Sequence, residues 1–407
     1  MKRLTIKDFL WAKPLHFAES NPLQVESSLN QHVTKKALSL ISHFLSKDPI
    51  NSSIKETNSL SEINFSHNLE FPLYLRTIPL SLRAVLLTSP DFIRKELTEI
   101  KAIFEKLKAF PLTPSPFLIE KPQLSQVNLF RATIGQVISK LLVYRDGEVK
   151  ASFFNNTPGR ELRIPYIQCT GQTPNSINLA QYIVETHIIA KGLVLDLYLP
   201  VAGENKEAPI YIAARGNSLA PSSRESWNGV VATLSTTNVG HDAFFKQGGK
   251  EKLEDLLEIC TGISSSHPIV FFGHSLGGAV AKYAAITFPT QIQEVYAFDT
   301  PGNDKETSVA LEQLSALHKQ GHPVTDVKTF NTTGDFVPHF SGEGGHVGDL
   351  FEIDWGCKTK YAAHTGAGLL SPNYKIYVRE ALYYRSRIAD TLHSSGQLVY
   401  RYFLMHS

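Results

Sequence analysis

The sequence predicts an α/β fold, with a mainly parallel central sheet and a helical extension on its amino-terminal side. Three observations carry this. From Pro209 onward, short apolar runs alternate with amphipathic helical runs, the pattern of parallel strands covered on both faces. A Gly-x-Ser-x-Gly bend, Gly273-His274-Ser275-Leu276-Gly277, lies between one such apolar run and a helical one. Residues 1–125 show helical periodicity and little chemistry.

In order along the chain, Ser28 can cap a helix through Lys47 that aligns Leu29, Val33, Ala37, Ile41 and Phe44 on one stripe. Ser89-Pro90-Asp91 starts a second helix, with Ser89 as cap and Pro90 where a missing N–H costs nothing. Its stripe is Leu97, Ile100, Phe104 and Leu107, and the prolines at 111, 114, 116 and 122 then mark a connection. Residues 1–125 therefore read as a helical accessory region, and 126–407 as the sheet-bearing domain with its chemistry in 208–370. The runs Leu141–Tyr144 and Val149–Phe154 flank Asp146-Gly147 and predict a β-hairpin. Leu162–Gln168 and Leu193–Leu199 read as further strands. Strands are then expected at 210–213, 269–272, 295–298 and 327–330, and helices at 252–259, 279–286 and 306–318.

Composition narrows the function. The chain has 407 residues, more than one small core organises. Forty Lys and Arg against thirty-eight Asp and Glu leave no large basic field, so nucleic acid is not an expected partner. Three cysteines, far apart and without a CxxC pair, argue against a disulfide scaffold or a Cys-rich zinc site. Lys7, Asp8 and Lys13 interrupt any signal-peptide core, and Lys191, Asp196 and Pro200 break the longest apolar candidate, Ile188–Val201. The expectation is a chain made in a reducing cytosol, with any export by a route that needs no signal peptide.

The bend at Ser275 carries the chemistry. An apolar strand before it and a helix after it fit a nucleophile elbow, which places a serine hydroxyl on a strained turn of an α/β-hydrolase sheet. A serine needs a base and an orienting carboxylate, which in that fold follow it as Asp or Glu and then His. Two aspartates follow expected strands. Asp335, in Asn331-Thr332-Thr333-Gly334-Asp335, is the preferred acid, and Asp299 competes. Among the downstream histidines, His339 lies too close to Asp335 and His393 lies in a Tyr- and Arg-rich tail. His364, among small residues, is the preferred base, with His346 as competitor. Oxyanion donors are expected from the backbone of Leu276 and from the loop after 210–213, where Asn217 or Ser218 would stand.

These segments together resemble the class 3 lipases, the group of fungal triacylglycerol lipases and plant phospholipase A1-type enzymes, over about residues 208–370. The resemblance lies in Gly273-His274-Ser275-Leu276-Gly277-Gly278-Ala279, in Ala214-Arg215-Gly216-Asn217 with Trp227, in Asp335-Phe336-Val337-Pro338, and in His346-Val347-Gly348 through Phe351. It implies an α/β-hydrolase that cleaves carboxylic esters of lipids through Ser275, Asp335 and His364, with Leu276 and Asn217 at the oxyanion and no cofactor. It also implies that His346 leads into a strand and is not the base. Asn217 stands where the family has Thr or Ser, and His241-Asp242-Ala243-Phe244 where it has His-x-Gly-Phe. Residues 219–240 read either as a lid or as an ordinary surface loop. The tail Tyr374–His406 reads as a terminal helix on the sheet or as a basic aromatic helix on a membrane surface. An esterase or acyltransferase on the same site, and a catalytically silent hydrolase fold used as a binding module, are the competing readings.

Overall fold

The computed structural model describes residues 89–111, 124–170, 173–189, 193–201, 203, 206–216, 240–263, 267–335, 337–339, 345–357 and 360–379. All of them belong to the compact unit Thr57–Ser407. The expected helix at 28–47, Asn217, Ser218, Trp227, the segment 219–239, His393 and the tail beyond Arg379 lie outside the described residues.

Helix α1, Pro90–Leu107, starts as expected: Ser89 Oγ accepts the N–H of Phe92, and Pro90 follows the cap. Its buried stripe is Ile93, Leu97, Ile100, Phe104 and Leu107. Helix α2, Gln126–Gln136, is capped by Ser125 and runs into a π-helical segment, Val137–Leu142. Helix α3, Gly147–Asn155, follows. The hairpin expected over 141–154 is therefore wrong. Asp146 caps α3 by accepting the N–H of Val149 at 3.0 Å. Gly147 is needed because a Cβ there would meet Thr186 Cβ at 2.7 Å. The Asp-Gly pair serves a helix start packed close on a strand.

Among the described residues nine strands form one sheet: β1 Leu162–Thr170, β2 Thr173–Ile188, β3 Val194–Pro200, β4 Ile210–Ala214, β5 Ile269–His274, β6 Glu294–Phe298, β7 Asp326–Thr332, β8 Asp349–Asp354 and β9 Lys375–Arg379. Their spatial order follows the chain. Strands β4 to β8 are parallel, whereas β1 to β4, and β8 with β9, pair antiparallel. The sheet is thus mixed, with the parallel part confined to the half that carries the elbow. The long strand β2 was not expected. Nor was β9, which occupies the start of a tail read as helical.

Helices α4, Gly249–Ile263, α5, Leu276–Thr287, and α6, Lys305–Lys319, connect the parallel strands. Side chains alternate along β4. Tyr211 and Ala213 join a core with α1, α2, the π-helix and α3, whereas Ile210, Ile212 and Ala214 join a second core with α4 and α5. Along β5, Val270 and Phe272 go to the first core and Ile269 and Phe271 to the second. The amino-terminal helices therefore cover one face of the sheet and the connecting helices the other. This is an α/β-hydrolase arrangement, recognised by a sheet whose central parallel strand ends in a bend leading straight into a helix.

Candidate active site

Ser275 follows β5 and precedes α5, with φ 58° and ψ −126°. A non-glycine residue in that region stores strain of roughly 1–3 kcal/mol and persists only where its surroundings hold it. Here its N–H donates to the carbonyl of Phe298 at the end of β6 (2.9 Å), and its carbonyl accepts from Gly278 (2.9 Å). A Cβ on Gly273 would run into the carbonyl of Gly277, and one on Gly277 into the carbonyl of Ala214. The spaced glycines are therefore steric requirements of this bend. Ser275 is left half-buried, and Leu276 opens α5. The N–H of Leu276 is one of those that a helix start leaves without an intrahelical acceptor. Gly216 passes close by, since a Cβ there would lie 2.8 Å from Ser275 Cβ.

Asp335 and His364 come together. Asp335 stands just past β7, 2% exposed, with Oδ1 accepting from the N–H of Val337 at 2.9 Å. Its Oδ2 lies 2.7 Å from His364 Nδ1. His364 lies on the short helix α7, Lys360–Thr365, and is 5% exposed. A carboxylate only accepts, so Nδ1 carries the hydrogen and Nε2 is the basic nitrogen of the neutral ring.

Asp299, the competing acid, is otherwise engaged. It sits after β6 at φ 46° and is fully buried. It pairs with Lys140 of the π-helix and accepts from the N–H of Thr332 at 2.5 Å and from its hydroxyl at 3.1 Å. Burial pushes its carboxyl up to about 6, against the opposing pull of Lys140. His346, the competing base, is buried, and its Nε2 lies 2.9 Å from the carbonyl of Pro338 as donor. It precedes β8, as the resemblance implied. Phe244 of the segment before the elbow is fully buried and stacks on Tyr283 of α5.

Three residues around this site were not singled out from sequence: His274, Tyr144 and Lys140. The His274 ring lies 4.5 Å from that of His364, and its Nε2 is 2.8 Å from the His364 carbonyl. A carbonyl can only accept, so Nε2 donates and Nδ1 accepts the Tyr144 hydroxyl at 2.8 Å. Burial first, then the charge that His364 carries when protonated and that of Lys140, hold His274 well below the ordinary imidazole range. It is a neutral strut. A lysine inside the apolar run Val137–Leu142 was the one signal that could have flagged Lys140. Among the described residues no group of three His, Cys, Asp or Glu could hold a metal ion.

The Mbeg1-like family model matches residues 249–323. No curated protein sequence gives a significant match. Among solved structures, the chain is similar to a Rhizomucor miehei lipase–propeptide complex, at 17% identity over 51% of this chain and 67% of that one, with a TM-score of 0.31. A triacylglycerol lipase from Penicillium expansum is 12% identical over 49% of this chain and 73% of its own, with a TM-score of 0.32. A mutant form of MDLA from Penicillium cyclopium is 15% identical over 69% of this chain and 92% of its own, with a TM-score of 0.37. The chain spans about two thirds of the length of the first lipases it matches. The fold rests on the strand order and the elbow geometry, and the family resemblance to fungal lipases stays at the level of similarity.

Proposed function

We propose that this protein is a serine hydrolase that cleaves carboxylic esters, with lipids as the substrate class. The observation that carries the reading is a strained serine at a strand-to-helix bend, followed in the chain by an aspartate whose carboxylate is bonded to a buried histidine. In this reading Ser275 Oγ attacks the ester carbonyl while His364 Nε2 takes its proton. Asp335 holds the Nδ1–H and stabilises the imidazolium. The oxyanion is held by the N–H of Leu276, at the positive end of α5, together with Asn217. His364 then protonates the leaving alcohol, and a water activated by the same ring releases the acid from Ser275. The lipid preference is supported by the sequence motifs that resemble those of class 3 lipases.

A fluorophosphonate probe tests the core of this. The wild-type protein is expected to be labelled and Ser275→Ala to be blank. A folded wild type that takes no label would refute the assignment. A series of p-nitrophenyl esters and phospholipid vesicles then reads the acyl and head-group preference.

A further inference from the structure

The most unusual buried feature of the site takes no part in the proton relay. Lys140 and Asp299 form an ion pair with both side chains fully buried. Two charges removed from water are costly unless their remaining hydrogen-bonding capacity is also used, and here each partner reaches further. Lys140 Nζ donates to the carbonyl of Gly366 at 2.8 Å, two residues beyond His364. Asp299 accepts from the N–H of Thr332 at 2.5 Å, three residues before Asp335. Both partners also sit on irregular backbone, Lys140 in a π-helical segment and Asp299 at a positive φ. Such irregularities recur at functional sites, and each one adjusts where its side chain is aimed.

We propose that Lys140 and Asp299 are positioning residues that hold the His364 and Asp335 loops in register. Lys140 clamps the segment carrying His364, Asp299 clamps the end of β7 leading to Asp335, and their ion pair joins the two clamps through the helical layer. The inference rests on the reading of Asp335 and His364 as an acid–base couple. It extends that reading by making the helical layer that bears Lys140 part of the machinery.

Removing one partner alone strands a buried charge and can prevent folding, so the informative variant is Lys140→Met with Asp299→Asn. It discards both charges, keeps their volumes and keeps an acceptor for Thr332. The double variant is expected to melt close to wild type, to lose about tenfold to a hundredfold in kcat, as a misplaced base does, and to keep KM within about twofold. In the same variant the downfield proton resonance of His364 Nδ1–H, which reports its bond to Asp335, is expected to broaden or vanish. A stable double variant with wild-type kcat and an intact resonance overturns the proposal. If the double variant does not fold, Thr332→Val, which removes only the hydroxyl bond to Asp299, decides the case. A several-fold lower kcat at unchanged melting temperature supports the clamp, and an unchanged kcat overturns it. If wild type takes no fluorophosphonate, the hydrolase reading fails, while the Nδ1 resonance of wild type and variant still decides whether the pair positions His364.

Discussion

At Ser275 the backbone is strained, and the neighbouring glycines are what permit the strain. A methyl group added at Gly277 would collide with the carbonyl of Ala214, a backbone atom with no freedom to move aside. Gly277→Ala is therefore expected to destabilise the protein by about 2–3 kcal/mol and to abolish fluorophosphonate labelling. Urea unfolding and labelling, read on the same sample, check both. His364→Ala is expected to lower kcat by on the order of 10⁴-fold with little change in melting temperature, measured by ester turnover and thermal melting. A different residue, Lys282, sets a pH dependence. It is 1% exposed on α5, its Nζ meets no hydrogen-bond partner among the described residues, and burial pushes its amine down to about 7. The unfolded chain then binds the extra proton between about 7 and the ordinary lysine value of 10.5, so stability rises with pH across that window and is flat below it. Lys282→Met is expected to raise stability at pH 7 by about 2 kcal/mol or more and to flatten that slope, as denaturant titrations at several pH values would read.

At the scale of single elements, what could be read from the chain depended on how local the cause was. Helix α1 was legible because its cap, its proline and its stripe all lie within its own residues. Strands β4 and β5 were legible because burial on both faces makes them short runs of mostly apolar residues. The Asp146-Gly147 pair misled because one dipeptide suits both a hairpin turn and a helix start, and the choice was made by Thr186, some forty residues away. Asp146→Ala is expected to cost about 1 kcal/mol through the lost cap, read as a lower midpoint of unfolding with an unchanged slope. The long strand β2 mixes polar and apolar residues and is buried only at Ala180, Tyr182 and Val184 among its described side chains, so its place between β1 and β3 is a tertiary fact. The elbow and the acid segment were legible as motifs. The Lys140–Asp299 pair was not, since its partners are distant in sequence and meet only across the sheet end.

For the molecule as a whole, the sheet separates two cores that share backbone but few side chains. Phe104 belongs to one and Leu256 to the other. Phe104→Ala and Leu256→Ala are each expected to cost about 2–5 kcal/mol. Combined, they should add to within about 0.5 kcal/mol, a result that equilibrium denaturation of the two single variants and the double variant would give directly. The order of the nine strands carries a further consequence. Every strand lies beside the one synthesised just before it, so a nascent chain can lay down the sheet stepwise as it leaves the ribosome, with the open rim always at the newest strand. Helices α1 to α3 emerge before the strands they cover and have no sheet to pack on until those strands arrive. During synthesis their apolar stripes therefore wait uncovered, a surface that a holding chaperone would meet.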